Sequence, residues 1–353
     1  MFSLKHFGLL FFLAYMHVLF SNFKEKPLIS KIESLEELGH HLFFDQQLSP
    51  NSAKACASCH EPQFAFSDGY KKSVGLYGDH VIRNAPSLIN VRDRFALTWA
   101  NDTLTSLEQQ MLRPMFGDTP PEMGVKGHEE LVLKNIAKRK EYLEAFARIF
   151  PNDQAPINFI NIIHAIASYE KKLISYNSPY DRFLESKDTV EFGYRAKRGM
   201  DLFFSDRLSC GNCHNGRNLD EPDRGFEYSN VGLYFCDEWY PNKDMGLFSI
   251  TNDSIDIGRF RIPSLRNVAL TAPYFHDGST ESLDEVLAIY SRGGRINLLG
   301  DCKGDGNLHP NRDPRMSDFT LTKEEKTDVL HFLFALTDTS YLANPYFRNP
   351  FAF

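Results

Sequence analysis

Tryptophan and cysteine are both scarce, at two and six residues in a chain of 353. Six thiols are too few to staple a chain of this length, so a disulfide scaffold is excluded. No apolar run reaches the ~20 residues that a spanning helix needs, which excludes a multi-span membrane protein. An excess of basic charge is also missing. Lys and Arg number 39 against 46 Asp and Glu, a net charge of −7, and a mildly acidic chain is a poor general binder of nucleic acid. No convincing series of strands stands out. What remains is an ordinary globular composition, 42% hydrophobic and 24% charged, which is neither disordered nor collagen-like. At ~150 residues per domain the length amounts to a little over two domains. Phenylalanine alone is abundant, at 30 residues; it suits a large apolar pocket and equally a Phe-rich core.

Lys5 and His6 precede an apolar run from Phe7 to Phe20. A short run after a basic start fits a secretory signal peptide better than a spanning helix. No clear small-x-small cleavage site follows, so an uncleaved anchor stays open. Residues 1–22 are therefore set aside as signal peptide or N-terminal anchor.

The cysteines are placed unevenly. Cys56 and Cys59, and again Cys210 and Cys213, form Cys-x-x-Cys pairs, each followed at once by a histidine, His60 or His214. Each pair also follows a shared flank. Leu42-Phe43-Phe44-Asp45-Gln46-Gln47-Leu48-Ser49 recurs as Leu202-Phe203-Phe204-Ser205-Asp206-Arg207-Leu208-Ser209. Copies this far apart indicate a duplicated domain rather than a solenoid. Apolar spacing predicts amphipathic helices over 128–150 and 157–176, with Asn177-Ser178-Pro179 breaking the second. Capping-box pairs, Thr322 with Glu325 and Ser282 with Glu285, predict two more, over 323–336 and from Ser282 onward. Residues 216–262 and 291–319 are rich in Gly, Asp, Asn and Pro and read as long loops. The expected fold is mainly α. It has two domains, 23–185 and 186–353, related by internal duplication and carrying long irregular loops.

Cys-x-x-Cys-His is the attachment signature of c-type haem. The two thiols bond the vinyl groups of the porphyrin, and the adjacent histidine becomes the proximal iron ligand. Zinc and a thioredoxin-like pair compete for the motif, but zinc would not require histidine directly after the second cysteine in both copies. Two covalent haems are expected, one in each of two cytochrome c-like domains, with Cys56, Cys59, Cys210 and Cys213 as tethers and His60 and His214 as proximal ligands. The opposite face then decides the chemistry. An open face admits peroxide or oxygen, and a filled face makes an electron-transfer centre.

Several blocks resemble a known family. Leu42-Phe43-Phe44-Asp45, Cys56–His60, Phe66-Ser67-Asp68-Gly69 and Arg83-Asn84-Ala85-Pro86-Ser87-Leu88 are similar to the first haem domain of bacterial di-haem cytochrome c peroxidases. The stretch from Arg261-Ile262-Pro263-Ser264-Leu265-Arg266-Asn267 to Pro273-Tyr274-Phe275-His276-Asp277-Gly278 is the most specific block. The group includes the MauG-like enzymes, and the resemblance spans residues 38 to 340. It implies that Glu122 is the distal carboxylate of the reactive haem, positioned to move a proton during peroxide cleavage. It implies a relay role for Trp99 between the haems. Arg261 and His276 match residues beside the second haem, Arg261 as a propionate partner. Asn84, Thr271 and Pro273 match the oxygen donors of one calcium ion, a cation that accepts backbone carbonyls.

Tyr290 is the informative departure. It stands where classical members place the methionine that is the second ligand of the high-potential haem, and it aligns with the MauG-like branch. Met245 and Met316 are the alternative donors. A distal histidine for the first haem is not evident, since His80 fails in spacing, so that haem is expected to be open at rest. Cys236 and Cys302 lie in second-domain loops and either pair in an oxidising compartment or stay free. The resemblance implies a periplasmic, exported enzyme that reduces hydrogen peroxide at the first haem. Electrons would come through the second haem from a small cytochrome c or copper protein. A MauG-like oxidase acting on a protein side chain is the alternative, favoured by Tyr290. A plain di-haem carrier is a third reading, opposed by Glu122. Nucleic acid is not an expected partner, and a homodimer is left open.

Overall fold

The computed structural model describes residues 31–352 apart from 95, 188, 223–226, 237–238, 242, 301 and 317. The N-terminal segment read as signal or anchor lies outside these residues. Among those described, no helix is long and apolar enough to cross a membrane. The chain is mainly helical, as its patterning predicts. The helices are α1 (Leu35–Phe44), α2 (Leu107–Phe116), α3 (Glu129–Ile136), α4 (Lys140–Ile149), α5 (Phe159–Glu170), α6 (Pro179–Ser186), α7 (Thr189–Phe192), α8 (Tyr194–Phe203), α9 (Phe248–Thr251), α10 (Leu283–Ser291) and α11 (Lys323–Phe334). Strand is limited among the described residues to two antiparallel ladders. β1 (Tyr228–Ser229) pairs with β2 (Phe260–Arg261), and β3 (Ile296–Asn297) with β4 (Gly304–Asp305).

Local chemistry explains the helix starts. Ser34 caps α1 by accepting from Glu37 N–H, while the Glu37 carboxylate returns to the Ser34 N–H, a closed capping box. Thr322 and Glu325 do the same for α11. Ser282 caps α10 through the Glu285 N–H. These side chains satisfy donors that the first turn leaves unpaired. The segment expected as one helix over 128–150 is two. It breaks after Ile136 and resumes at Lys140. The break lets Val132 and Ile136, then Tyr142, Ala145 and Phe146, all face one core. It also brings Arg139 to Asp45 at 3.1 Å, a buried carboxylate that accepts from Tyr142 Oη as well.

Two apolar cores carry the duplication. The first gathers residues from Ile32 to Leu173 and is joined by Tyr341 and Phe347 from the C-terminal tail. The second runs from Tyr180 to Leu336. The main helix pair of the first is α1 on α5, and that of the second is α8 on α11. Both crossings hinge on a glycine in the same place, three residues before the repeated Leu-Phe-Phe. A Cβ on Gly39 would sit 1.8 Å from Ala165 O, and one on Gly199 would sit 1.9 Å from Asp328 O. Backbone cannot yield there as a side-chain tip would. Gly199→Ala is therefore expected to destabilise the fold by about 1–3 kcal/mol, the cost of overpacking. Denaturant unfolding of the haem-loaded protein measures it.

Between the cores runs a buried polar seam. Asn90 Nδ2 donates to Ser175 O and Asn90 Oδ1 accepts from Ser175 N–H. Ser175 Oγ donates to Asp338 and accepts from Asn267 Nδ2. Arg83 grips Asp244 with two bonds, at 2.7 and 2.8 Å. Burial alone would raise the Asp244 carboxyl, but the Arg83 bond and charge outweigh it and hold it below its usual value. Buried polar groups so satisfied fix one arrangement of the two halves.

Candidate functional site

The two Cys-x-x-Cys-His segments fold alike. Cys56–Ser58 and Cys210–Asn212 each make a single 3-10 turn, and the N–H of the following histidine closes back on the first cysteine's carbonyl, His60 on Cys56 O at 3.1 Å and His214 on Cys210 O at 2.9 Å. His60 Nδ1 pairs with Phe66 O at 2.8 Å, and His214 Nδ1 with Leu219 O at 2.9 Å. A donor hydrogen bond at Nδ1 fixes the tautomer and leaves Nε2 as the lone-pair nitrogen, the form in which imidazole binds iron. Burial also lowers both histidines, His214 to about 4, which keeps the rings neutral.

His214 opens onto a cavity whose empty volume, mouth included, is about 1290 Å³. Cys210, Cys213, Trp99, Arg261, His276 and Tyr290 share its wall. The lining fits a haem in shape and in charge. It is mostly apolar, and Arg261 is a buried guanidinium whose Nε has no hydrogen-bond partner among the described residues. Burial and the nearby Arg94 lower it to about 10. A buried cation with an orphaned donor is costly unless an anion meets it, and a haem propionate is such an anion. Arg261 also borders a polar cleft with Arg94, Asp220 and Glu227, which opens between the two halves.

Trp99 is held from both sides of that junction. Its Nε1–H donates to Asn84 O at 2.8 Å, its own carbonyl accepts from Arg261 N–H at 2.7 Å, and the Arg261 guanidinium lies 5.6 Å from its ring. His276 is buried, stacks on Phe260 at 3.5 Å, and is lowered to about 4, chiefly by burial. Tyr290 follows Leu283 and Leu287 along α10. Those two leucines enter the core, and the i, i+4, i+7 spacing carries the tyrosine into the cavity. Burial raises its phenol, and the Cys213 and Cys210 sulfurs, which line the same cavity, act in the same direction. Met316 lines the same cavity, whereas Met245 does not and packs against the cluster of Ala100, Tyr240, Ile257 and Phe260.

Glu122 sits in the loop after α2. Met123 N–H donates to Pro114 O and Val125 N–H to Met115 O, each at 3.0 Å, and Pro121 O accepts from Leu76 N–H. The loop is thus pinned between α2 and the 73–80 segment. Glu122 is half-buried, and burial pushes its carboxyl above the usual 4.5, against the opposing charge of Arg113. The Glu122 charge is one of several influences that raise the Cys59 thiol, of which burial is the largest. His80 is exposed. Asn84 is buried, its N–H on His276 O and its side-chain nitrogen on Tyr70 O. That places it against the loop of Thr271 and Pro273. Cys236 and Cys302 form a disulfide.

Sequence reasoning missed Arg94, Asp220, Gly39 and Gly199. The two glycines had a signal, because they occupy one position of the repeat. Arg94 and Asp220, a buried ion pair 3.7 Å apart, had none, since only folding brings them together.

Residues 33–189 match the family described as di-haem cytochrome c peroxidase. The cytochrome c551 peroxidase of Pseudomonas aeruginosa is 33% identical over 261 residues, covering 73% of this chain and 71% of the relative. The methylamine utilization protein MauG of Methylorubrum extorquens is 29% identical over 298 residues, 84% of this chain and 76% of that protein. The crystal structure of a MauG-like protein associated with microbial copper homeostasis superposes with a TM-score of 0.86 at 38% identity, over 94% of this chain and 99% of the other. By the paired tether sites and by these likenesses, the chain belongs to the di-haem cytochrome c peroxidase and MauG family, c-type haem oxidoreductases that act on peroxide.

Proposed function

We propose that the chain is a MauG-like, peroxide-dependent oxidase that withdraws electrons from a side chain of a partner protein. The observation that carries this reading is Tyr290, in place of methionine, in the wall of the His214 cavity. With haem bound at both sites, iron supplies the redox chemistry that breaks the peroxide O–O bond. His60 and His214 would hold the two irons through Nε2. Glu122 would take a proton from one peroxide oxygen and return it to the leaving oxygen. Trp99 would relay electrons across the junction, and Arg261 and His276 would hold the second haem's periphery. A tyrosine oxygen is a harder donor than a thioether and favours oxidised iron. Tyr290 in that role would make the site a poor store for one easily given electron, which suits withdrawal of electrons from a partner side chain over supply by a small carrier.

The division into a peroxidatic domain, 23–185, and an electron-transfer domain, 186–353, belongs to this reading, and the two cores support it. So does one calcium ion on Asn84, Thr271 and Pro273. These supply hard oxygen donors, and the Asn84 side-chain oxygen takes part in none of that residue's bonds given above. A periplasmic location agrees with the disulfide. The 38%-identical relative is associated with copper homeostasis, and we extend that setting to this chain.

A second reading has its own observation. Met316 shares the cavity wall, and as the second ligand it would make a peroxidase fed by a small cytochrome c or copper protein. Adding peroxide to the haem-loaded protein, with and without reduced cytochrome c, separates the two. Slow turnover with a long-lived oxidised spectrum is the expected result. Rapid catalytic oxidation of cytochrome c would establish the second reading.

A further inference from the structure

The His214 cavity has an aromatic wall that Trp99 does not account for. Tyr240 lines it and is 1% exposed. Its ring lies 6.0 Å from Phe260 and 6.2 Å from His309, and the His309 ring lies 6.2 Å edge-on from Trp239. These are ordinary separations for interacting aromatic rings, so they form an unbroken path from cavity to surface. Trp239 ends the path and is 44% exposed. Its backbone has φ +69, a left-handed conformation that bulky side chains avoid and that collects at functional sites. The Trp239 N–H bond to Cys236 O, with the Cys236–Cys302 disulfide, holds it in place.

Three exposed leucines lie on segments tied to the chain around it. The hairpin of β3 and β4 is tied to the 233–236 segment by the disulfide and by Asn297 Nδ2 donating to Leu233 O. Its tip carries Leu298 and Leu299, 77% and 85% exposed, and Leu308, next to His309, is 69% exposed. Three leucines this exposed, on segments joined by the disulfide and by sequence to the end of the aromatic path, offer an apolar face for a partner.

We propose that Trp239 is the residue through which electrons from a docked partner protein, as distinct from small diffusing donors, come into the molecule. Leu298, Leu299 and Leu308 would dock a partner protein that presents its oxidisable side chain in an apolar face. The inference rests on the oxidase reading. A shuttle that must leave quickly relies on charge steering and small contacts. An apolar collar slows dissociation instead and keeps a partner in place for two successive transfers. The count closes. Each peroxide takes two electrons and two protons and leaves two waters, and the partner side chain loses two electrons and two protons, the protons to solvent. Trp239 passes one electron inward at a time, regains one from the partner, and ends unchanged.

The test uses the haem-loaded protein and three probes. One is a synthetic amphipathic helical peptide with a single tryptophan in its leucine face, and the others are reduced cytochrome c and ferrocyanide. Trp239→Phe, and Leu298→Ser combined with Leu299→Ser, alter exposed positions only. In both variants, oxidation of the peptide tryptophan, read by mass spectrometry, is expected to fall at least about tenfold. Peroxide consumption supported by ferrocyanide should stay within about twofold. Peptide oxidation unchanged in both variants would overturn the Trp239 route and leave the oxidase reading standing. No peptide oxidation by the unaltered protein, together with fast turnover of cytochrome c, would overturn both.

Discussion

Glu122→Gln is expected to lower peroxide consumption by about 10²–10⁴-fold, the usual worth of a positioned acid–base group, while both haems stay attached. Glutamine matches glutamate in size, and the loop that carries it is held by backbone bonds to Pro114, Met115 and Leu76, so the change removes a proton acceptor and little else. The pH profile gives a second readout. Burial raises this carboxyl above 4.5. Its basic form, the one that accepts a proton, is therefore lost at a higher pH than for a solvated glutamate. The acid limb of kcat/KM for peroxide should lie above the ordinary carboxylate range, and Glu122→Gln should abolish that limb along with the rate. A variant that kept both rate and limb would remove Glu122 from the chemistry.

That residue also shows how unevenly the sequence discloses the site. The haem tethers are legible because covalent attachment demands two thiols and a histidine at fixed short spacing, and no tertiary contact is needed to see it. The helix starts at Ser282 and Thr322 are legible for the same reason, since a cap closes within four residues, although the full box forms only at Thr322 and the Glu285 carboxylate takes the Glu281 N–H instead. Glu122 is different. Its loop position says nothing by itself, and its burial depends on α2, an element the apolar pattern did not announce. The break at Ala137 is likewise set by the core, which both halves of the 128–150 segment must face. Long-range pairs are the least legible. Trp239 meets His309, and Arg83 meets Asp244, through contacts that only the folded chain creates. Gly39 and Gly199 fall between these cases. The duplication pairs them, but the reason for glycine appears only with the carbonyls of Ala165 and Asp328 beside them.

Tyr290→Met is the second large effect and bears directly on which enzyme this is. Tyr290 and Met316 both reach the His214 cavity, so the wild-type second ligand is a contest between a phenol on α10 and a thioether on the 309–319 loop. If tyrosine holds the position, the substitution trades an anionic oxygen for a neutral sulfur. The potential of the second haem should then rise by on the order of a few tenths of a volt, within the ~0.8 V range that axial ligands span. The far-red charge-transfer band of methionine-ligated haem should appear with it, and rapid oxidation of reduced cytochrome c should be gained. Met316→Leu is the necessary companion and should leave spectrum and potential unchanged. The reverse pattern, a methionine band already present in the unaltered protein and removed by Met316→Leu, would assign the ligand to the loop. It would return the chain to the peroxidase reading, because a high-potential centre stores the single electron that a small carrier delivers, whereas a tyrosine-bound centre must draw its electrons from something held against the surface.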